Sequence, residues 1–339
     1  MLLLIVFLKM YKEKASLYLY AKYYIMACCL YIFISMLMIA MPNFKIFWMS
    51  IIHTDSLGLG QMLVLKQLYI SRIGIDGFAG FGQAFLCSFG VLLNVYMIIS
   101  NNSKFKKNHL DIYISLFMLI IGTLLYGRIG SLISFMAIGI LIVYYLINVR
   151  NIKRAIAILG VIMLLFFSLT YIAKDNDKVN TWINWSFDYV NNYRNTGNLS
   201  NESSADMFNT MYFMPETKTI LIGDGYYTDQ MTGFYYKSTD VGFMRNILFF
   251  GVFQTIIGYF SIFFILIGFK KHFNINKDKV GVMLSVFFSV QLVVFEMKGA
   301  MYFTMYATLI PFYYLLLYQN EGGRSSEFLV NKTLVEQKS

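Results

Sequence analysis

Residues 110–147 read LDIYISLFMLIIGTLLYGRIGSLISFMAIGILIVYYLI. Leu110–Tyr126 and Gly130–Ile147 are two apolar blocks, separated only by Gly127-Arg128-Ile129. Each is about as long as a helix needs to cross a hydrocarbon core. The pair therefore reads as two membrane spans joined by a very short turn, with Arg128 at its tip. Similar blocks lie on both sides: Tyr23–Met41, Gly80–Ile99, Ala155–Ala173, Val241–Phe269, Val280–Phe295 and Ala300–Tyr318. The fragment Met1–Leu8 would reach only about 12 Å as a helix, so it reads as the end of a short or truncated first span. The expected fold is all-α: a polytopic integral membrane protein of about nine transmembrane helices. Residues 1–318 form one membrane domain and 319–339 a polar tail.

The composition agrees. Of 339 residues, 58% are hydrophobic, 18% aromatic and 14% charged, against roughly 25% charged in soluble proteins. This excludes a soluble enzyme, a disordered chain and a nucleic-acid-binding domain. The net charge of +10 is first of all a topology signal. Cys28, Cys29 and Cys87 lie inside apolar blocks and suggest no disulfide framework. His53, His109 and His272 are scattered, so neither a metal nor a cofactor is expected.

Orientation follows from the basic residues. Lys9, Lys12, Lys14, Lys22, Lys104, Lys106, Lys107, Arg150, Lys153, Arg154, Lys270, Lys271, Lys277 and Lys279, with Arg324, Lys332 and Lys338 of the tail, fall in one set of loops. These are 17 of the 28 basic residues, and the positive-inside rule makes their side, with the C-terminus, cytoplasmic. The opposite face carries a loop of about 70 residues, 174–240, with nine of the 18 acidic residues. Within it Val179, Trp182, Ser186, Tyr189 and Tyr193 recur at helical spacing and suggest a helix along the membrane surface. Pro42–Ala79 suggests re-entrant or interfacial helices. The cytoplasmic loops are too short to hold a domain, so any chemistry belongs to the outer face or the bundle.

The richest outer stretch is Ile220–Gly251, ILIGDGYYTDQMTGFYYKSTDVGFMRNILFFG. Gly223, Gly225 and Gly233 permit tight turns beside Asp224 and Tyr226, Tyr227, Tyr235 and Tyr236. Ser238-Thr239-Asp240 reads as an N-cap for the next span, with Arg245 one turn inside it and Gly242 leaving room for the guanidinium. The ordinary reading is a surface loop whose aspartate caps a helix and whose arginine snorkels to the interface. Three further outer sites stand out: Gly127-Arg128-Ile129-Gly130, Arg72-Ile73-Gly74-Ile75-Asp76-Gly77, and Glu296-Met297-Lys298-Gly299. In the last, Glu296 and Lys298 can simply pair. Four of 11 outer basic residues are arginine (Arg72, Arg128, Arg194, Arg245), against three of 17 cytoplasmic ones. A planar fork of donors suits phosphate oxygens better than the point charge of lysine.

At Ile222–Tyr226 with Ser238–Arg245, and at Gly127–Gly130, the sequence resembles the O-antigen polymerase (Wzy) family of bacterial envelope proteins. Gly127 stands where the family's short outer turn usually has serine. The resemblance covers most of the chain: many spans and one large late periplasmic loop. It implies a GT-C-like membrane glycosyltransferase of the bacterial inner membrane. It also implies transfer of a glycan from undecaprenyl diphosphate onto another lipid-linked repeat unit. Flippase and chain-length regulator proteins of the same pathway are the implied partners.

In a metal-independent inverting mechanism, basic side chains stabilise the departing diphosphate and a carboxylate takes the proton of the attacking hydroxyl. The expected diphosphate ligands are Arg128 and Arg245, then Arg72 and Lys298. The expected base is Asp240, then Asp224 or Glu296. Tyr226, Tyr227, Tyr235 and Tyr236 are expected to stack on sugars. An O-antigen ligase would carry a histidine in the large loop, and 174–240 has none. A flippase would show internal repeats and mid-span charges, and a transferase using a monophosphate lipid would pair acids in its first outer loop, where Asp55 and Asp76 stand alone.

Overall fold

The computed structural model describes residues 10–11, 16–52, 72–100, 110–147, single positions between 156 and 174, 177–197, 202–231, 233–302 and 304–315. In chain order these give helices α1 (Leu17–Ala40) and α2 (Pro42–Ile51), then a hairpin of β1 (Ile73–Gly74) with β2 (Gly77–Phe78). Next come α3 (Phe81–Ser100), α4 (Leu110–Tyr126), α5 (Arg128–Ile147), α6 (Asp177–Ser186), α7 (Asp188–Thr196), α8 (Glu202–Asp206) and α9 (Thr217–Ile222). The chain continues with α10 (Gly242–Phe250), α11 (Val252–Ile275) and α12 (Lys279–Glu296), followed by α13 (304–315). Among the described residues, α1, α3, α5, α11 and α12 are long and apolar enough to cross a membrane, and α4 is a shorter apolar helix. Met1–Leu8, most of Ala155–Ala173, residues 53–71 and the tail 319–339 lie outside the described residues.

The centre of the bundle is α3, with α1, α4, α5 and α12 around it. Of its apolar window 78% is buried, against 28% for α11. Phe89 stacks on Phe288 of α12 with ring centroids 4.4 Å apart, and Phe85 meets Phe295 edge-on at 5.3 Å. Between these rings the Gln291 amide donates to the Phe85 carbonyl (3.1 Å) and Ser88 Oγ (2.8 Å). An interhelical hydrogen bond in so dry a place fixes the register of α12 on α3. The outward side chains of α11 are apolar (Phe253, Ile257, Phe260, Phe263, Phe264), as a lipid-facing helix requires.

Three expectations change. Val241–Phe269 is not one span: Gly251, at φ 78° and ψ 168°, breaks it into α10 and α11. Essentially only glycine adopts that conformation. The break is clasped from outside by the Gly-Asp-Gly loop, since a Cβ on Gly223 would meet the Phe249 carbonyl and one on Gly251 the Leu221 carbonyl. The N–H groups of Asp224 and Gly225 donate to the carbonyls of Leu248 (2.6 Å) and Phe249 (3.2 Å). Those carbonyls end α10 and would otherwise lack partners. At nine residues, α10 is only about 13 Å long and cannot cross a bilayer.

Val179–Tyr193 likewise divides into α6 and α7, because Phe187 leaves helical geometry (φ −105°, ψ 19°). The described parts of Pro42–Ala79 are one helix, α2, and the β hairpin rather than helices alone. Arg72 enters that hairpin at φ 63°. Its N–H donates to the Leu125 carbonyl (3.1 Å) and its carbonyl accepts from Ala79 (2.8 Å).

Candidate functional site

The site grows from the end of the bundle where α4 turns into α5. Arg128, the first residue of α5, projects toward α6 and α7. There its Nη1 lies 2.6 Å from Asp188 Oδ2, and its guanidinium is 5.2 Å from the Trp185 ring and 5.6 Å from Tyr189. The guanidinium of Arg72 is 5.0 Å from the same indole. Trp185 thus gathers two arginines that are 56 positions apart in sequence, a cation–π arrangement of the strength that desolvation favours. Trp182 anchors α6 through Nε1 to the Leu124 carbonyl (3.4 Å).

The second half of the site is α10. Arg245 is held between two aromatic rings, 4.4 Å from Tyr235 and 5.2 Å from Tyr227, and its Nη2 donates to the Tyr227 carbonyl (3.1 Å). Its Nε is buried without a hydrogen-bond partner, and no ion pair forms with a described residue. Burial lowers its pKa, opposed by the tyrosines, Asp240 and Glu296. The room at Gly242 serves another purpose than expected: a Cβ there would lie 2.5 Å from the Gly299 carbonyl and 2.6 Å from Glu296 Oε1. Gly242 lets α10 close onto Glu296. The N-cap reading also changes. Val241 is the N-cap and has no side-chain bond, while Thr239 Oγ1 donates to the Met211 carbonyl (3.0 Å) and accepts from Val241 N–H (3.3 Å).

Glu296, 1% exposed, takes hydrogen bonds on both oxygens. Asn246 Nδ2 and Tyr259 OH each donate to Oε1 at 2.6 Å, and the Met301 N–H donates to Oε2 at 2.9 Å. Asn246 also accepts from Tyr227 OH (2.5 Å). The carboxylate thus ties α10, α11 and the turn after α12 into one buried network.

Asp240 lies where the two halves meet. Its Oδ1 is buried and without a hydrogen-bond partner. Burial raises its carboxyl pKa, while the charges of Lys298, Arg245 and Arg72 pull it back. A carboxylate with an open oxygen and a raised pKa, surrounded by cations from three segments, has the attributes of a general base beside an anion site.

Asp224, Tyr226 and Tyr236 form a separate cluster. Asp224 accepts from Thr219 Oγ1 (2.8 Å) and Tyr236 OH (3.1 Å) and lies 3.7 Å from Lys237 Nζ. Tyr226 meets Tyr236 at 5.7 Å. Tyr227 and Tyr235, in contrast, belong to the Arg245 sandwich. Asp188, Trp185, Asn246 and Tyr259 enter the site without having been expected. An asparagine interrupting the apolar run FMRNILFF was the one signal available, since polar side chains in such runs mark function or helix contacts.

Among the described residues, no group of three His, Cys, Asp or Glu side chains is placed to hold a metal ion. No protein-family model, curated protein or solved structure matches the chain.

Proposed function

We propose that the chain is a glycan polymerase of about nine spans, GT-C-like, whose 174–240 loop faces the periplasm of a bacterium and whose tail is cytoplasmic. It joins oligosaccharide repeat units carried on undecaprenyl diphosphate. The observation that carries this reading is Asp240, with an open buried oxygen amid the charges of Lys298, Arg245 and Arg72. An acceptor hydroxyl attacks the anomeric carbon from the face opposite the leaving group, and its proton passes to Asp240. The bond from the anomeric carbon to the diphosphate oxygen breaks, and its electron pair leaves with undecaprenyl diphosphate. Arg245, Lys298, Arg72 and Arg128 stabilise that charge, a preorganised electrostatic role that no nucleotide is needed to fill.

A groove of about 510 Å³ between α10, α11 and α12 supports a lipid-linked substrate. Phe243, Phe260, Phe263 and Leu292 line it, and Tyr259 and Glu296 border it, so an isoprenoid tail can lie in it near the charged site. Asp224 holds the loop, and Glu296 positions α10.

The test is the surface glycan of a deletion strain, with polymerisation assayed on purified protein and lipid-linked repeat units. Single-unit caps in the strain and a ladder of products in vitro are expected. Loss of every cap would instead point to a ligase or flippase.

A further inference from the structure

A second pocket, of about 310 Å³, lies at the opposite end of the bundle from Arg128 and Arg245. It is formed by the first turns of α1, the last turns of α3 and the first turns of α4. Lys22, Asp111, Asn94 and Ser115 supply its polar lining, and Ile25 and Met97 part of its apolar wall. Asn94 is 1% exposed. Its Nδ2 donates to the Ile112 carbonyl (3.3 Å) and to Ser115 Oγ (2.8 Å). Because the Ile112 carbonyl can only accept, the orientation of the amide is fixed and Oδ1 is left as a buried acceptor. That Oδ1 has no hydrogen-bond partner, an expensive state in a membrane protein unless a donor arrives.

We propose that this pocket binds the head group of an amine-bearing membrane phospholipid of the phosphatidylethanolamine type. Three features select that ligand. Oδ1 of Asn94 needs an N–H donor, and Asp111 supplies a negative charge on the same wall, which together specify a protonated primary amine. Lys22 supplies the positive charge that its phosphate requires. Two of its three helices, α1 and α4, present exposed apolar side chains, Met26 and Ile114, so acyl chains can extend along them. Its volume matches a small head group rather than a sugar chain. The inference does not depend on the polymerase reading, since no residue is shared with the outer site.

The test uses the full chain, purified and equilibrated with equimolar phosphatidylethanolamine, phosphatidylcholine and phosphatidylglycerol, with retained lipid quantified by mass spectrometry. Phosphatidylcholine keeps the charge but has no N–H. The expected result is retention of phosphatidylethanolamine over phosphatidylcholine by about tenfold, the discrimination that one charge-assisted hydrogen bond provides. Asn94→Leu should abolish the preference, whereas Asp111→Asn and Lys22→Gln should each weaken the retention of both lipids alike. Asp111 is exposed, so its variant tests the charge contact, as weaker retention of both lipids, even if Asn94→Leu fails to fold. Equal retention of the two lipids, or retention of both left unchanged by Asp111→Asn, would overturn the proposal. So would displacement of the lipid by excess glycerophosphoethanolamine, which would assign the pocket to a soluble amine.

Discussion

Replacing Glu296 tests whether the network beneath Arg245 is structural. The carboxylate satisfies three buried donors: Asn246 Nδ2, Tyr259 OH and the Met301 N–H. In Glu296→Leu the Tyr259 OH and the Met301 N–H lose their acceptor, while Asn246 Nδ2 keeps the Tyr259 oxygen at 2.6 Å. At about 1–3 kcal/mol for each of these two orphaned groups, the loss is roughly 2–6 kcal/mol, a large part of the whole stability of a typical domain, about 5–15 kcal/mol. Glu296→Gln keeps one acceptor oxygen but turns an amide toward a donor, so it should cost about 1–3 kcal/mol. The assay is apparent melting of the full chain in detergent at a fixed scan rate, because unfolding of such proteins is often irreversible, with polymerisation measured in parallel. The expected order is wild type, then Gln, then Leu, and Glu296→Gln should retain measurable polymerisation. An unchanged melting point with abolished polymerisation in Glu296→Gln would refute this reasoning and make Glu296 the base.

Gly251→Ala places a Cβ 2.6 Å from the Leu221 carbonyl in a backbone conformation reserved for glycine. It should destabilise by about 2 kcal/mol or more, read as lower melting and poor membrane yield. Asp240 must be ionised to act, and burial raises its pKa. Polymerisation should therefore rise with pH through a limb above the ordinary aspartate range, and Asp240→Asn should remove that limb and most of the rate. By linkage, the same group favours the folded state below its unfolded pKa, and that contribution is lost as pH rises through the folded value. Lys298 is the strongest opposing charge on Asp240, so Lys298→Met should move the limb to higher pH. Reporters fused after Asn201 and after Asn274 should be active on the periplasmic and cytoplasmic sides respectively; the reverse pattern would overturn the orientation.

The spanning helices were legible because burial in lipid leaves an unbroken apolar run, as in α3, α5 and α12. The break at Gly251 was not. The run VGFMRNILFFGVFQTIIGYF has no proline or charge at that point, and only the distant clasp from Gly223 shows why the helix stops. The candidate cations were legible as single arginines. Their convergence was not, because Arg72 and Arg128 meet only through Trp185, and Arg72 joins Arg245 and Lys298 around Asp240 only by tertiary packing. Gly242 was recognised as necessary room, but its occupant, the Glu296 carboxylate, lies 54 residues away. Local patterns carry which residues are unusual, whereas their partners depend on contacts between distant segments.

The most direct measurement of the central claim is chain length made by Arg245→Lys. The substitution keeps the charge but removes the planar fork that sits between Tyr235 and Tyr227. If Arg245 holds the substrate diphosphate, the variant should insert and melt nearly as the wild type does yet leave mostly single-unit caps. Its polymerisation rate should fall on the order of 10²–10³, as when one oriented donor is lost. Long chains from a well-expressed Arg245→Lys protein would contradict the account.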